Sequence, residues 1–182
     1  KQMDALVEEK LAKEESVVNL LENKVVLIKT KDTETRVTGF ENITEAENLA
    51  LAGEDVPVGQ YAREIFTNLD IMDQVEAMEI NEGKNVTEVL AAVTQGSNEV
   101  GVVYATDAAS VADQVEIIAE ASSDMLETPV LYPVGMIEDE EALPEEKVAA
   151  ETFFEYLQTE NALKVFEEHG FSPYTAEVEE ND

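Results

Sequence analysis

Apolar positions along the chain switch repeatedly between helical spacing and short continuous runs. Met3, Leu6, Val7 and Leu11 fall at helical spacing, so residues 2–12 read as a helix. Val25-Val26-Leu27-Ile28 is a continuous apolar run that stops at Lys29-Thr30-Lys31-Asp32. It predicts a buried parallel strand leading into a polar connection. Residues 41–47 read as a weak helix or turn and 48–52 as a strand. From Pro57 onward, Val58, Tyr61, Ala62, Ile65, Phe66 and Leu69 form one apolar stripe of a helix. Pro57 suits its first turn, where a missing N–H would have had no partner anyway. A short strand is expected at 77–80. Asn85-Val86-Thr87-Glu88 then has the form of a capping box, with Val86, Val89, Leu90 and Val93 on one helix face that stops near Gly96. Strands follow at 100–104, 115–119 and 130–137, the last interrupted by Pro133, which argues for a bend or an edge position. Pro144 opens a helix bearing Val148, Thr152, Phe153, Tyr156 and Leu157. Thr159 caps another, with Leu163 and Phe166, that ends at His169-Gly170. Residues 176–182 read as an acidic, frayed tail.

Strands alternating with helices imply an α/β architecture with largely parallel sheets. The apolar strands near 27 and 133 bracket a compact α/β block, the pattern of a chain that leaves one lobe and later returns to it. The expected division is 1–30 as the end of a first lobe and a crossover, 31–130 as a complete second lobe, and 131–182 as the return crossover and terminal helices of the first lobe.

Composition narrows the function classes. With 182 residues and 44% hydrophobic positions the chain can build one good core or two small lobes. Its 42 acidic residues against 11 Lys and Arg give a formal charge of −31. Such a surface repels nucleic acid and anionic lipid, so a DNA or RNA partner is not expected. Cysteine is absent, which removes disulfides, thiolate nucleophiles and Cys-based metal sites. The sequence opens on Lys1, directly in an amphipathic pattern, without a secretion signal or an apolar run of membrane-spanning length.

Catalytic material is scarce. The single histidine, His169, sits at a helix end closed by glycine, where it complements the last carbonyls. Carboxylate pairs such as Glu138 with Glu141 and Glu177 with Glu180 read as solvated surface. No calcium-loop, Walker A, GxGxxG or GxSxG spacing is present, so neither an enzyme nor a bare-cation site is expected. The more useful candidates are backbone N–H groups in the first turns at Pro57-Val58-Gly59 and Asn85-Val86-Thr87, unpaired within their helices and at the positive dipole end. Gly59 would also let a ligand approach the backbone closely.

Taken in order, VPVGQYAREIF, NVTEVLAAVTQG, GVVYATDAA, LYPVGMI and FFEYLQTENALKVFEEHGF resemble the molybdate-binding receptors of bacterial ABC importers. The opening segments MDALVEEKL and VNLLENKVVLI fit the same family, and the likeness runs from about residue 2 to about 172. The resemblance implies a two-lobed type II periplasmic binding fold, here with an incomplete N-terminal lobe. It further implies that the backbone N–H groups of Val58 and Val86 and the Tyr104 hydroxyl bind molybdate or tungstate. Position 58 is commonly alanine in the family, which a backbone contact tolerates. The family's remaining contacts are hydroxyl side chains expected upstream of residue 1, so weakened or absent anion binding is expected of these 182 residues. No cofactor is implied. The implied partners are membrane permease subunits of an ABC importer, and the implied location is outside the cell membrane, in the periplasm or on a lipid anchor. Alternatives are a receptor for sulfate or a small organic acid, or a sensor or enzyme domain of the same fold. An incomplete lobe would also leave apolar surface that invites self-association.

Overall fold

The computed structural model describes residues 2–175. In chain order the elements are α1 (Gln2–Glu8), β1 (Val18–Asn23), β2 (Val25–Thr30), β3 (Leu49–Ala52), α2 (Pro57–Asn68), α3 (Met72–Glu76), β4 (Ile80–Gly83) and α4 (Val86–Thr94). They continue with β5 (Val100–Tyr104), α5 (Ala105–Ser110), β6 (Val115–Glu120), β7 (Val130–Val134), α6 (Pro144–Leu157), α7 (Glu160–Glu168) and β8 (Ser172–Pro173). Two compact units result. One is the continuous stretch from Asn23 to Pro129; the other joins residues up to Glu22 with those from Val130 onward.

The continuous unit is built on a five-stranded sheet of order β4-β3-β5-β2-β6. β3 runs parallel to β4 and to β5, in registers Ala52↔Gly83 and Leu49↔Val100. Successive strand side chains point to opposite faces, and all four of Leu49–Ala52 are buried, so both faces of the sheet are covered here. The cover comes from the apolar stripes the spacing predicted: Val58, Ala62, Ile65 and Phe66 of α2, and Val89 and Val93 of α4. Phe40 and Ile43, from a 3₁₀ segment at Phe40–Glu45, complete the core, with the Phe40 and Phe66 rings 6.5 Å apart. Gly101 lets α4 approach, since a Cβ there would stand 2.6 Å from Val93 Cγ2.

The other unit carries a three-stranded sheet of order β7-β1-β8. Phe171 packs edge-on against Tyr132, centroids 5.1 Å apart, and against Phe166. Its core is small: among the described residues only Ala12, Leu20, Leu21, Val130 and Ala162 are buried apolar positions. α6 buries none of its residues, and Val148, Phe153 and Tyr156 stand 61%, 60% and 51% exposed.

Several expectations change. β2 is antiparallel to both neighbours, not parallel. A continuous apolar run reports cover on both faces, and a central antiparallel strand has that too. β2 also belongs to the continuous unit, so the first boundary falls at Glu22/Asn23 and not after residue 30. The polar break after Ile28 is an internal loop: Lys31 N–H donates to Gln114 O at 3.1 Å and Lys29 pairs with Glu116 at 2.9 Å. The strand expected at 77–80 is β4, displaced to Ile80–Gly83 behind the unforeseen α3. It is a sheet edge with exposed Asn81 and Glu82, hence its polar sequence. The first helix stops at Glu8, ahead of Lys10 with φ 59°. β1 and α5 had no counterpart in the sequence reading. The acidic tail at 176–182 lies outside the described residues.

Candidate functional site

Parallel strands joined by helices place every strand-to-helix turn on the same edge of the sheet, the usual place for a ligand in open α/β sheets. In the continuous unit β3, β4 and β5 lie side by side and lead respectively to α2, α4 and α5. Val58, Val86 and Tyr104 belong to these three turns. With neighbouring strands about 4.8 Å apart, the turns occupy a patch roughly 10 Å across.

Each turn is held by local chemistry. Val56 is the N-cap of α2 and Pro57 opens it; the first helical backbone bond runs from Gln60 N–H to Val56 O at 3.1 Å. Helical geometry therefore gives the Val58 N–H no acceptor within α2. The Val58 side chain is buried and anchors the turn. Gly59 serves the packing: a Cβ there would collide with the carbonyl oxygens of Ala52 and Gly53 at the end of β3. The close approach expected for a ligand at Gly59 is thus taken by the protein's own strand.

At α4 the capping box is present in modified form. Asn85 Oδ1 accepts Glu88 N–H at 3.0 Å, while Glu88 Oε2 reaches back to Lys84 N–H at 2.8 Å. Val86, the first helical residue, keeps an N–H without an intrahelical acceptor. The first two turns are tied together by Gly53 N–H donating to Gly83 O at 2.9 Å. Arg63 reinforces this edge from α2, donating to Ala52 O at 2.7 Å and Gly59 O at 2.9 Å, and pairing with Glu82 at 3.2 Å. Its guanidinium serves acceptors of the protein itself, a structural role that sequence reading did not assign.

Tyr104 ends β5, half-buried, and its ring stands edge-on to Tyr61 of α2 at 6.5 Å between centroids. Tyr61 lies one helical turn beyond Val58, so this contact brings the end of β5 to the first turns of α2. Behind Tyr104, its N–H donates to Asp107 Oδ2 at 3.3 Å. Burial pushes the Asp107 carboxyl above the usual carboxylate range, against the lowering effect of that N–H. The Tyr104-x-x-Asp107 spacing, an acid three residues after a strand end, was the available signal for α5. The arrangement gathers two helix first turns and one tyrosine on one edge of a sheet. His169 lies elsewhere, as C-cap of α7, with Nδ1 2.9 Å from Val165 O and Gly170 following at φ 89°.

The family described as bacterial extracellular solute-binding protein matches residues 1–172. An ABC transporter substrate-binding lipoprotein of Bacillus subtilis, YvgL, is 40% identical over 163 residues, covering 89% of this chain and 60% of the relative. The molybdate-binding protein ModA of Haemophilus influenzae is 33% identical over 178 residues, covering 94% and 67% respectively. A solved substrate-binding domain of a molybdenum ABC transporter from Clostridium difficile superposes with a TM-score of 0.83 at 32% identity, over 96% of this chain and 73% of that one. The chain therefore spans roughly two thirds of the length of the curated relatives it matches. Its fold is the α/β, type II periplasmic binding protein fold.

Proposed function

Because the chain belongs to the bacterial extracellular solute-binding protein family, we propose that it is the larger part of a receptor that takes up molybdate or tungstate outside the cell membrane. The observation that carries this reading is the convergence of the Val58, Val86 and Tyr104 turns on the C-terminal edge of β3, β4 and β5. The relatives named for molybdate support the choice of ion.

A tetrahedral dianion at this edge exchanges its water shell for two backbone N–H groups at helix starts and one phenol. Helix N-termini favour negative charge without a formal cation, which reconciles an anion receptor with a chain of net charge −31. Selectivity arises because donors fixed at the radius of a larger oxyanion reach sulfate poorly, and a protonated ligand presents a donor where the site needs an acceptor. Hydroxyl donors from additional chain complete the coordination. The function is binding without catalysis, with delivery to the permease subunits of an ABC importer.

In the unit that contains α6, the exposed Val148, Phe153 and Tyr156 are apolar surface available to other protein. We propose that the 182-residue chain self-associates through it.

The test is titration of the chain and of a version extended to its relatives' length with molybdate, tungstate and sulfate. Tight binding of the first two by the extended protein supports the reading. Clear binding of sulfate with no response to molybdate or tungstate overturns it in favour of a sulfate receptor.

A further inference from the structure

Asn23 is one of two polar residues buried among the described residues, at 2% exposure, and nothing in the proposed binding reaction uses it directly. Both ends of its side-chain amide are engaged. Nδ2 donates to Thr106 Oγ1 at 3.0 Å, across 83 positions of sequence, and Oδ1 accepts Lys24 N–H at 3.0 Å. The neighbouring backbone makes a third link, Ala105 N–H to Lys24 O at 2.8 Å. Thr106 and Ala105 are the residues that follow Tyr104, and Tyr104 itself pairs in register with Val25. The turn carrying the Tyr104 phenol is therefore pinned from both ends: by the Asn23-Lys24 segment on one side and by Asp107 on its own N–H.

We propose that Asn23 and Thr106 are positioning residues for Tyr104, and that the hydrogen bond between them fixes where the phenol stands at the anion site. The physical reason is economy of alternatives. A phenol donor helps an anion only if its ring is held at one place, and Tyr104 stands at the junction of β5 and α5, where the bonds of the next residues set the course of the backbone. Asn23 is itself buried, so separating its amide from the Thr106 hydroxyl leaves a polar group short of a partner inside the protein. The backbone that carries the ring is therefore tied to the Asn23-Lys24 segment. The Tyr61 ring at 6.5 Å gives a direct reporter of where Tyr104 stands, since an edge-on aromatic neighbour shifts its resonances. The functional meaning rests on the anion-receptor reading, whereas the positioning itself does not.

The experiment uses the 182-residue chain labelled with 3-fluorotyrosine, the Tyr104 signal being assigned by its loss in Tyr104→Phe. Thr106→Val removes the hydroxyl at nearly constant volume, and Thr106→Ser restores it. Thermal melts confirm that each variant folds. The Tyr104 resonance is expected to shift or broaden in Thr106→Val and to return to the wild-type position in Thr106→Ser. Molybdate affinity is expected to fall about fivefold in Thr106→Val, the value of one modest hydrogen bond, whereas in a Tyr104→Phe background Thr106→Val is expected to cause no further loss. An unmoved Tyr104 resonance in Thr106→Val overturns the positioning role, as does an undiminished fivefold effect in the Tyr104→Phe background. Should Tyr104→Phe alone leave binding unchanged, the assignment of Tyr104 to the anion site fails, and the resonance still decides the positioning role.

Discussion

Val86→Pro deletes one proposed donor and almost nothing else. Val86 is the first residue of α4, and Asn85 before it has φ −160° and ψ 168°. That is the extended backbone a following proline requires, and the first helical position is the one proline favours. The bonds that define the helix start, Glu88 N–H to Asn85 Oδ1 at 3.0 Å and Lys84 N–H to Glu88 Oε2 at 2.8 Å, use other atoms. The half-buried valine side chain loses a little packing, which the fixed φ of proline offsets. The expected melting temperature therefore stays within about 3 °C of wild type. Binding responds differently. A backbone donor to a charged acceptor is worth about 1.5–3 kcal/mol, so its removal weakens affinity roughly 10- to 150-fold. Three such donors, less about 4 kcal/mol or more for immobilising the partners, put this chain's own dissociation constant near the millimolar range or weaker. The suitable assay is a ¹⁵N–¹H correlation titration with molybdate, reading the Val58 amide in wild type and variant. Equal saturation curves in the two proteins, with equal melts, would refute the assignment of Val86.

Other consequences are open to simpler measurements. Asn85→Ala removes the α4 cap and should cost about 1 kcal/mol, a fall of about 4–8 °C in a domain of this size; a melt unchanged within 1 °C contradicts the capping role. Gly59→Ala drives a methyl into the Ala52 and Gly53 carbonyls, which are backbone and cannot swing aside. A loss of roughly 1–3 kcal/mol is expected in denaturant titration, and a neutral result would show that α2 can retreat from β3. For Asp107, burial raises the folded carboxyl above its unfolded value. Its contribution is then fully present below the unfolded pKa and is lost as pH rises through the folded one. Asp107→Asn keeps an acceptor for the Tyr104 N–H without the charge, so its melting temperature should gain on wild type as pH rises from about 3 to neutrality. A pH-independent difference would contradict this. Sedimentation should detect association that grows with added salt, because salt screens the −31 charge, and Phe153→Glu should suppress it. A compact monomer at every concentration and ionic strength contradicts the proposed self-association.

What the sequence made legible follows from which signals are local. Helix starts are local, so Pro57 at the opening of α2, Asn85 as the cap of α4 and Thr159 as the cap of α7 could be read directly. The apolar stripes of α2 and α4 were equally plain, because their buried positions repeat every turn. Strand direction is not local. Val25–Ile28 looks the same whichever way its neighbours run, and the antiparallel pairing of β2 with β5 and β6 depends on residues about 75 to 95 positions away. β4 was displaced because an edge strand such as Ile-Asn-Glu-Gly has no apolar run to mark it. The site divides in the same way. That Val58 and Val86 head helices was readable, but that their turns are joined through Gly53 and Gly83, or that Tyr61 meets Tyr104, is a product of sheet order. The Asn23–Thr106 bond, spanning two sequence-distant polar residues, left no pattern to find.

Whether the oxyanion binds at this sheet edge is decided by a residue-resolved titration of the chain with molybdate beside sulfate at matched concentration and ionic strength. Molybdate should shift the amides of Val58 and Val86 and the ring of Tyr104 together, on one saturation curve, while sulfate moves them much less. Perturbations that fall instead on the opposite edge of the sheet, around Arg36, Asn48 and Glu99, would contradict it, as would equal responses to the two ions.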